Sequence, residues 1–115
     1  MSYISNNSFE KRKSECLRIM SKYPDRIPVI VEPNGKNDIE IDNKKYLVPN
    51  DFNVGQFIYV LRKRIKLSAD KSLFLFINND MIPNVCFLMS EMYYNYSNDD
   101  GFLYVKYRTE MAAFG

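Results

Sequence analysis

Histidine is absent from the 115-residue sequence, and glycine occurs only four times. The missing histidine removes the commonest general base and metal ligand. The glycines are dispersed and form no phosphate-binding loop, and the sequence has no G-x-S-x-G motif and no cysteine with a partner base. We therefore expect a protein that is not an enzyme and that has no catalytic residue, no bound metal and no cofactor.

Cysteine is scarce as well, and long hydrophobic runs are missing. Cys16 and Cys86 each lie in a segment with helical apolar periodicity and lack the spacing of a zinc site, so we expect both to be reduced packing residues. No apolar run approaches the roughly 18 residues that a membrane span needs, and the N-terminus lacks the apolar region of a signal peptide. The expected location is the cytoplasm or nucleus.

The sequence also lacks a strong excess of either charge. The formal net charge is +2, which is too small to indicate nucleic-acid binding by the protein as a whole. Basic residues do cluster at Lys11, Arg12, Lys13 and Arg18, where they could meet an acidic partner, a nucleic acid, an anionic membrane or only solvent. Solvent is the simplest interpretation, and we expect a monomer with no nucleic-acid partner.

The composition that remains, 46% hydrophobic and 26% charged, is that of one folded domain. Apolar periodicity and turn residues predict a helix from Ser8 to Pro24, strands in "RIPVIVE" and "KKYLVP", a helix from Val54, a strand in "SLFLFIN", a helix opened by Pro83 and Asn84, and a last strand in "FLYVKY". This order favours an α+β fold of the β-grasp type, with a four-stranded mixed sheet and an added N-terminal helix.

Within the single domain, 1–115, we expect an N-terminal helical extension (1–24), a β-grasp core (25–107) and a flexible C-terminal tail (108–115). The helix from Val54 has the clearest signal. Its apolar residues fall on one helical stripe, and Asn53 with Gln56 forms an asparagine version of the capping box.

The short strand "KKYLVP" is the best candidate for a binding surface. Alternation along the strand places Leu47 on one side, where Ile19 and Phe102 are predicted to join it in a groove, and Tyr46 and Val48 on the other. A short edge strand can accept a peptide as an added strand. The alternative is that Leu47 and Val48 are ordinary core residues.

The C-terminal glycine also has two interpretations. A mobile tail that ends in glycine suits a carboxylate that another enzyme must reach and activate, because glycine passes through narrow spaces without a Cβ atom. Alternatively, the end of the chain frays or belongs to a longer sequence, and Gly115 has no role.

Seven segments of the sequence resemble one family, in order, across most of the chain. They are "FEKRKSECLRIMSKYPDRIPVIVE", "KKYLVP", "VGQFIYVLRKRI", "LFLFIN", "LMSEMY", "DGFLYVKY" and the final "FG". These segments closely resemble the GABARAP-like autophagy modifiers, the ubiquitin-like autophagy-related protein 8 family. The resemblance implies a ubiquitin-like β-grasp fold with extra N-terminal helices.

The resemblance also implies a mechanism. An E1-like enzyme would adenylate the carboxylate of Gly115 with ATP, an E2-like cysteine would carry it as a thioester, and phosphatidylethanolamine would receive it as an amide. The modified protein would act in autophagosome formation and would sit on the autophagosome membrane or on that of another organelle. Two alternatives remain: an unconjugated adaptor for trafficking or cytoskeletal partners, and a lipidated modifier with a specialised organelle role.

Binding residues also follow from the resemblance, because the family receives W/F/Y-x-x-L/I/V motifs of cargo receptors in two pockets. The implied aromatic pocket consists of Glu15, Ile19, Pro28, Ile30, Lys45, Leu47 and Phe102. The implied aliphatic pocket consists of Tyr46, Val48, Pro49, Phe52, Phe57, Val60 and Leu61. Arg26 and Arg62 match basic positions that meet acidic residues beside the motif. Phe74 and Phe76 match aromatics with a membrane-side or lipidation role, and a pure core role is the alternative.

The sequence departs from the family pattern at three places. Phe52 replaces a smaller aliphatic residue, "NNDMIP" is one residue longer than the common form, and "RTEMAAFG" differs from the usual tail. The last difference leaves open whether a protease must first remove an extension beyond Gly115.

Overall fold

The computed structural model describes residues 2–35, 41–78 and 80–111. Four helices and four strands follow one another along these residues: α1 (Tyr3–Asn6), α2 (Phe9–Lys22), β1 (Arg26–Pro33), β2 (Lys45–Pro49), α3 (Val54–Ile65), β3 (Lys71–Phe76), α4 (Met89–Tyr96) and β4 (Leu103–Met111). None of the helices in the described ranges is long and apolar enough to cross a bilayer.

The strands form one mixed sheet in the order β2-β1-β4-β3. β1 pairs in parallel with β4 and antiparallel with β2, and β3 pairs antiparallel with β4. This arrangement confirms the predicted α+β, β-grasp class. Within the described ranges it also leaves β2 and β3 at opposite edges of the sheet, where each strand is paired on one side only.

The two faces of the sheet carry two separate apolar clusters. On one face, alternate residues of β1 pack against the inward stripes of α3 and α4, with Leu61 and Met89 almost completely buried. On the other face, Ile30 and Phe102 pack with Tyr3 and Cys16 from the N-terminal helices. β1 is therefore buried on both sides from Ile27 to Val31, which explains its continuous apolar run.

α3 begins as its sequence predicts. Asn53 Oδ1 accepts from the backbone N–H of Gln56, and Gln56 Oε1 accepts from the backbone N–H of Asn53, each at 2.8 Å. This reciprocal pair satisfies two of the N–H groups that a helix start leaves without intrahelical partners.

The N-terminal extension contains a short helix, α1, in addition to the helix that periodicity predicts. Ser2 caps α1, and the N–H of Tyr3 donates to Glu32 of β1 at 2.8 Å. The Tyr3 ring stands edge-on to Phe102, with 5.7 Å between the ring centroids. The extension is thus attached directly to the sheet.

α2 is held to the start of β4 by a buried ion pair. Arg12 Nη1 donates to Asp100 Oδ2 at 2.6 Å, and the two side chains are 10% and 0% exposed. The Tyr104 hydroxyl and the Phe102 backbone N–H donate to the same carboxylate. The expectation of a solvated basic face is therefore wrong at Arg12, which is one of the two polar or charged residues buried in the described ranges.

The turn before β4 depends on Gly101. Its φ angle is +96°, and a Cβ atom there would lie 2.7 Å from the sulfur of Cys16. Cys16 is buried, as predicted, and burial raises the pKa of its thiol to about 11. Only glycine combines this backbone conformation with this close approach.

The predicted start of α4 is wrong. The segment from Pro83 to Leu88 forms turns, in which Asn84 accepts from the backbone N–H groups of Cys86 and Phe87, and the helix begins at Met89. The carbonyls of Val85 and Phe87 instead accept from the first N–H groups of α3. Cys86 is exposed in this segment, so its predicted packing role is also wrong.

β4 extends further than predicted. Residues 108–111, assigned from sequence to a flexible tail, pair with β3 from Phe74↔Arg108 to Lys71↔Met111. The strand continues because β3 is long enough to pair with it. The rest of that tail, including Gly115, lies outside the described residues.

Candidate functional site

The edge strand β2 presents different side chains to the two faces of the sheet. Val48 is buried against α3, and the Tyr46 ring stands edge-on to Phe57, with 5.9 Å between the ring centroids. Lys45 points the other way, since its ammonium group pairs with Glu15 of α2. The predicted alternation along the strand is therefore confirmed.

An open cavity of about 470 Å³ lies along β2 and the adjoining side of α3. The residues that line it are Arg26, Asn43, Lys45, Tyr46, Leu47, Val48, Pro49, Phe52, Phe57, Val60 and Arg64. We call this cavity, together with the outer edge of β2, the β2 groove. It lies within the usual size range of ligand sites.

The β2 groove collects the residues of the predicted aliphatic pocket with one exception. Tyr46, Val48, Pro49, Phe52, Phe57 and Val60 all line it. Leu61 is not among the lining residues; it belongs to the core cluster and is completely buried. Its place in the aliphatic pocket therefore stays a prediction, and removing it would disturb the core.

The residues of the predicted aromatic pocket lie around α2, β1 and β2. Ile30 and Phe102 are completely buried in the core cluster beneath α2, and Ile19 packs against that cluster. Pro28 lies opposite Leu47 in the β1–β2 ladder. Of this set, Lys45 and Leu47 line the β2 groove.

A polar cluster of Tyr3, Glu15 and Lys45 closes the α2 side of this region. Glu15 accepts from the Tyr3 hydroxyl at 2.9 Å and from the Lys45 ammonium group, which lies 5.1 Å from the Tyr3 ring centroid. The hydrogen bond from Lys45 lowers the pKa of the Glu15 carboxyl. Burial and this carboxylate together raise the pKa of Tyr3. The cluster ties α1 and α2 to the edge strand.

Two arginines line the β2 groove, and only one of them, Arg26, is among the residues that the family resemblance implies. Arg26 lines it and donates to the Leu47 carbonyl at 3.3 Å. Arg62 instead donates to the backbone carbonyls of Lys71 and Ser68, at 2.8 and 3.1 Å, beyond the end of α3. Arg64 is the second groove arginine. Its spacing of four residues from Val60 could have identified it, since residues four apart share a helix face.

Tyr46 supplies a further polar group to the β2 groove. Its hydroxyl is buried and has no hydrogen-bond partner within residues 2–35, 41–78 and 80–111. Burial raises the pKa of this phenol, so it remains a protonated donor at neutral pH. A buried polar group without a partner costs free energy, which a ligand acceptor would recover.

Phe74 and Phe76 lie on β3, at the edge of the sheet opposite the β2 groove. Phe76 is only 7% exposed and has the Arg108 guanidinium 5.2 Å from its ring centroid. It also lines a separate cavity of about 320 Å³ with Tyr104 and Lys106. These aromatics therefore form no part of the β2 groove.

Comparisons with known proteins give one consistent result. The family model described as "Autophagy protein Atg8 ubiquitin like" matches residues 11–115. Autophagy-related protein 8e of Arabidopsis thaliana is 57% identical over 106 residues, which cover 91% of this chain and 86% of the relative. Autophagy-related protein 8 of Schizosaccharomyces pombe is 58% identical over 104 residues, which cover 90% of this chain and 85% of the relative.

Two solved structures match the fold. The crystal structure of Trypanosoma brucei ATG8 has a TM-score of 0.90 at 40% identity and covers 100% of this chain and 98% of its own. Plasmodium falciparum Atg8, solved with a Plasmodium falciparum Atg3 peptide, has a TM-score of 0.83 at 38% identity and covers 93% of this chain and 94% of its own. The chain therefore belongs to the Atg8 family of ubiquitin-like autophagy proteins.

Proposed function

We propose that the chain is a ubiquitin-like modifier that is joined through Gly115 to phosphatidylethanolamine and recruits proteins with W/F/Y-x-x-L/I/V motifs during autophagosome formation. Family membership supports the modifier role. The observation that carries the recruitment role is the β2 groove, a cavity of mixed lining that lies along the edge strand of the described sheet and combines apolar side chains with Arg26 and Arg64.

Conjugation requires partner enzymes to activate the Gly115 carboxylate. An E1-like enzyme forms the acyl adenylate from ATP and releases pyrophosphate, and its cysteine thiolate then displaces AMP. The thioester passes to an E2-like cysteine, and the amine of phosphatidylethanolamine displaces that thiol as the amide bond forms. The Atg3 peptide bound to Plasmodium falciparum Atg8 supports an E2-like partner for this chain. In this scheme the chain is the substrate of these enzymes.

Lipid attachment changes where the protein resides. Each buried methylene of an acyl chain contributes about 0.8 kcal/mol, and two chains give stable anchoring where one gives reversible binding. The conjugated form therefore belongs on the autophagosome membrane or on a specialised organelle membrane, and the unconjugated form in the cytoplasm.

In the recruitment step, the motif peptide adds to the outer edge of β2 as a further strand. Backbone hydrogen bonds supply sequence-independent affinity, and the side-chain pockets supply specificity. The aliphatic residue of the motif enters the groove between Val48, Phe52 and Val60. The aromatic residue lies toward Leu47 and Lys45, where it must displace part of the Tyr3–Glu15–Lys45 cluster or pack against it. Arg26 and Arg64 meet acidic residues that flank the motif.

The direct test of conjugation is intact-mass analysis after incubation with E1-like and E2-like enzymes, Mg-ATP and phosphatidylethanolamine liposomes. We expect the wild type to gain the mass of the lipid less one water, and Gly115→Ala to gain none. Gly35→Ala, the same substitution at an exposed glycine, serves as the control and should be conjugated. If the wild type gains no mass with enzymes active on a control substrate, the unconjugated adaptor role replaces this proposal.

A further inference from the structure

A second cavity, of about 540 Å³, adjoins the β2 groove and has no role in the two-pocket scheme. It lies along the first half of α3 and is lined by Phe52, Asn53, Gly55, Gln56, Tyr59 and Val60. Phe52 and Val60 also line the β2 groove, so these two side chains form a shared wall between the cavities. A ligand that leaves the groove across this wall enters the second cavity directly.

The polar groups in the lining of this cavity are largely committed elsewhere. The side-chain oxygens of Asn53 and Gln56 accept from each other's backbone N–H groups at the start of α3. Tyr59 supplies an aromatic wall, 59% exposed, with the Lys63 ammonium group 4.5 Å from its ring centroid. What remains for a ligand is mainly apolar surface, so an apolar side chain is the group that fits it.

The rim continues the apolar surface beyond the cavity. A Cβ atom on Gly55 would lie 3.6 Å from the Cβ atom of Val85, so the glycine brings the two backbones close together. Val85 is 53% exposed, and Phe87 and Leu88 in the same turn segment are exposed as well. Exposed apolar side chains beside an apolar cavity support an interaction site here.

The direction of the motif indicates which part of a peptide reaches this cavity. The aromatic residue precedes the aliphatic residue in the motif, and the aliphatic pocket lies toward the Pro49 and Phe52 end of the groove. The residues that follow the aliphatic position therefore leave the groove past Phe52. In the proposed binding mode, the segment that follows the aliphatic residue is thus the part of the peptide that reaches the second cavity.

We propose that the second cavity is a third side-chain subsite, which takes a large apolar residue from the peptide segment that follows the motif, and that Phe52 separates it from the aliphatic pocket. This inference rests on the proposed recruitment function. It makes Phe52 a specificity-determining residue. A smaller side chain there would join the two cavities, so that one bulky residue could occupy both.

The test compares peptides that share one acid-flanked motif and differ only after it. The short peptide ends just beyond the aliphatic residue, and the longer peptides carry leucine or serine at each following position in turn. Calorimetric titration of the wild type should give at least one position where leucine binds about tenfold more tightly than serine, a difference of about 1.4 kcal/mol. Equal affinities of leucine and serine at every position would overturn the proposal.

Substitutions in the protein show which residues are responsible for the tighter binding of the leucine peptide. Tyr59→Ala should abolish the preference for leucine and leave the affinity of the short peptide unchanged, whereas Tyr59→Phe should retain the preference. Tyr94→Ala is the matched control, because Tyr94 is an exposed tyrosine on α4 that lines neither cavity. If Tyr59→Ala keeps the full preference, the apolar residue binds elsewhere and the subsite is refuted.

Phe52→Leu tests the shared wall. The variant should bind a motif with phenylalanine at the aliphatic position more tightly, relative to leucine, than the wild type does. An unchanged ratio would contradict the role of Phe52 as a partition. Failure of the subsite is distinguishable from failure of the proposed function: if the short peptide binds and leucine adds nothing, only the subsite fails, whereas if no peptide binds, both fail.

Discussion

Leu61 and Val60 are neighbours in sequence that the structure assigns to different environments. Leu61 is 0% exposed and packs in the core, whereas Val60 is partly exposed and lines both the β2 groove and the cavity beside it. We therefore expect Leu61→Ala to lower mainly the stability of the fold and Val60→Ala to lower mainly the affinity for the peptide.

For Leu61→Ala we expect a large loss of stability. The substitution removes three carbons, worth about 0.8 kcal/mol each in transfer free energy, and leaves a cavity in a packed core. A loss of about 3 kcal/mol in the free energy of unfolding follows. For a domain of this size that corresponds to a fall in melting temperature of roughly 12 °C. The folded state should survive, since domains of this size have about 5–15 kcal/mol of stability.

For Val60→Ala we expect a loss of stability of about 1 kcal/mol or less, because the side chain is not fully buried. Its contact with a bound peptide is lost, however, and the affinity should fall about fivefold, or about 1 kcal/mol. Leu61→Ala should leave the peptide affinity within about twofold of the wild type.

Urea denaturation followed by circular dichroism measures the first quantity, and calorimetric titration with a motif peptide, well below the melting temperature, measures the second. The reasoning is refuted if Leu61→Ala changes the unfolding free energy by less than about 0.5 kcal/mol while weakening the peptide. That result would place Leu61 in the groove wall.

Three further predictions concern charge, pH and backbone strain. Arg64→Ala should lower the affinity for an acid-flanked peptide by about two- to fivefold in low salt and by less in high salt. Arg62→Ala should instead lower the stability of the fold with little change in affinity. Titrations at two salt concentrations distinguish the two roles. Glu15 has a lowered pKa in the folded state, so its contribution is present above its unfolded pKa and is lost as the pH falls through the folded pKa. Denaturation at a series of pH values should accordingly show the stability difference between the wild type and Glu15→Gln shrinking below about pH 4, and a constant difference would contradict the coupling. Gly101→Ala should destabilise the fold by about 1–3 kcal/mol because the φ angle at this position is positive. Combined with Cys16→Ala in a double-mutant cycle, it should show a coupling energy. Full additivity of the two substitutions would show that the contact with the Cys16 sulfur has no effect.

Elements with local signals could be predicted from the sequence. The 3.6-residue stripe and the Asn53–Gln56 pair predict α3, and the capping bonds are present in the structure. The continuous apolar run of β1 predicts a buried strand, and "KKYLVP", with its terminal proline, predicts a short one. These features lie within a few residues of one another, so pattern and propensity are sufficient to place the elements.

Features that depend on distant residues could not be predicted in this way. Arg12 is one of several basic residues in α2, and only the fold brings it to Asp100, 88 positions away. The turns before Met89 replace the predicted first turn of α4, because the backbone carbonyls there accept from the start of α3. The length of β4 likewise depends on pairing with β3.

At the candidate site, too, features with local signals could be predicted and features that depend on the fold could not. Strand alternation predicts which side chains of β2 face each way, and the resemblance supplies most of the residues that line the β2 groove. Leu61 and Arg62 do not line the β2 groove, because matching to a family gives a position but not the direction in which the side chain points. Arg64 and the second cavity depend on which side of α3 faces the edge strand.

Peptide binding at the β2 groove can be tested by titrating the ¹⁵N-labelled chain with a motif peptide and following the amide chemical shifts. We expect the largest shift changes along Lys45–Pro49, with further changes at Phe52 and Val60. Changes confined to Lys71–Phe76, at the opposite edge of the sheet, would contradict this expectation and would move the binding site away from the β2 groove.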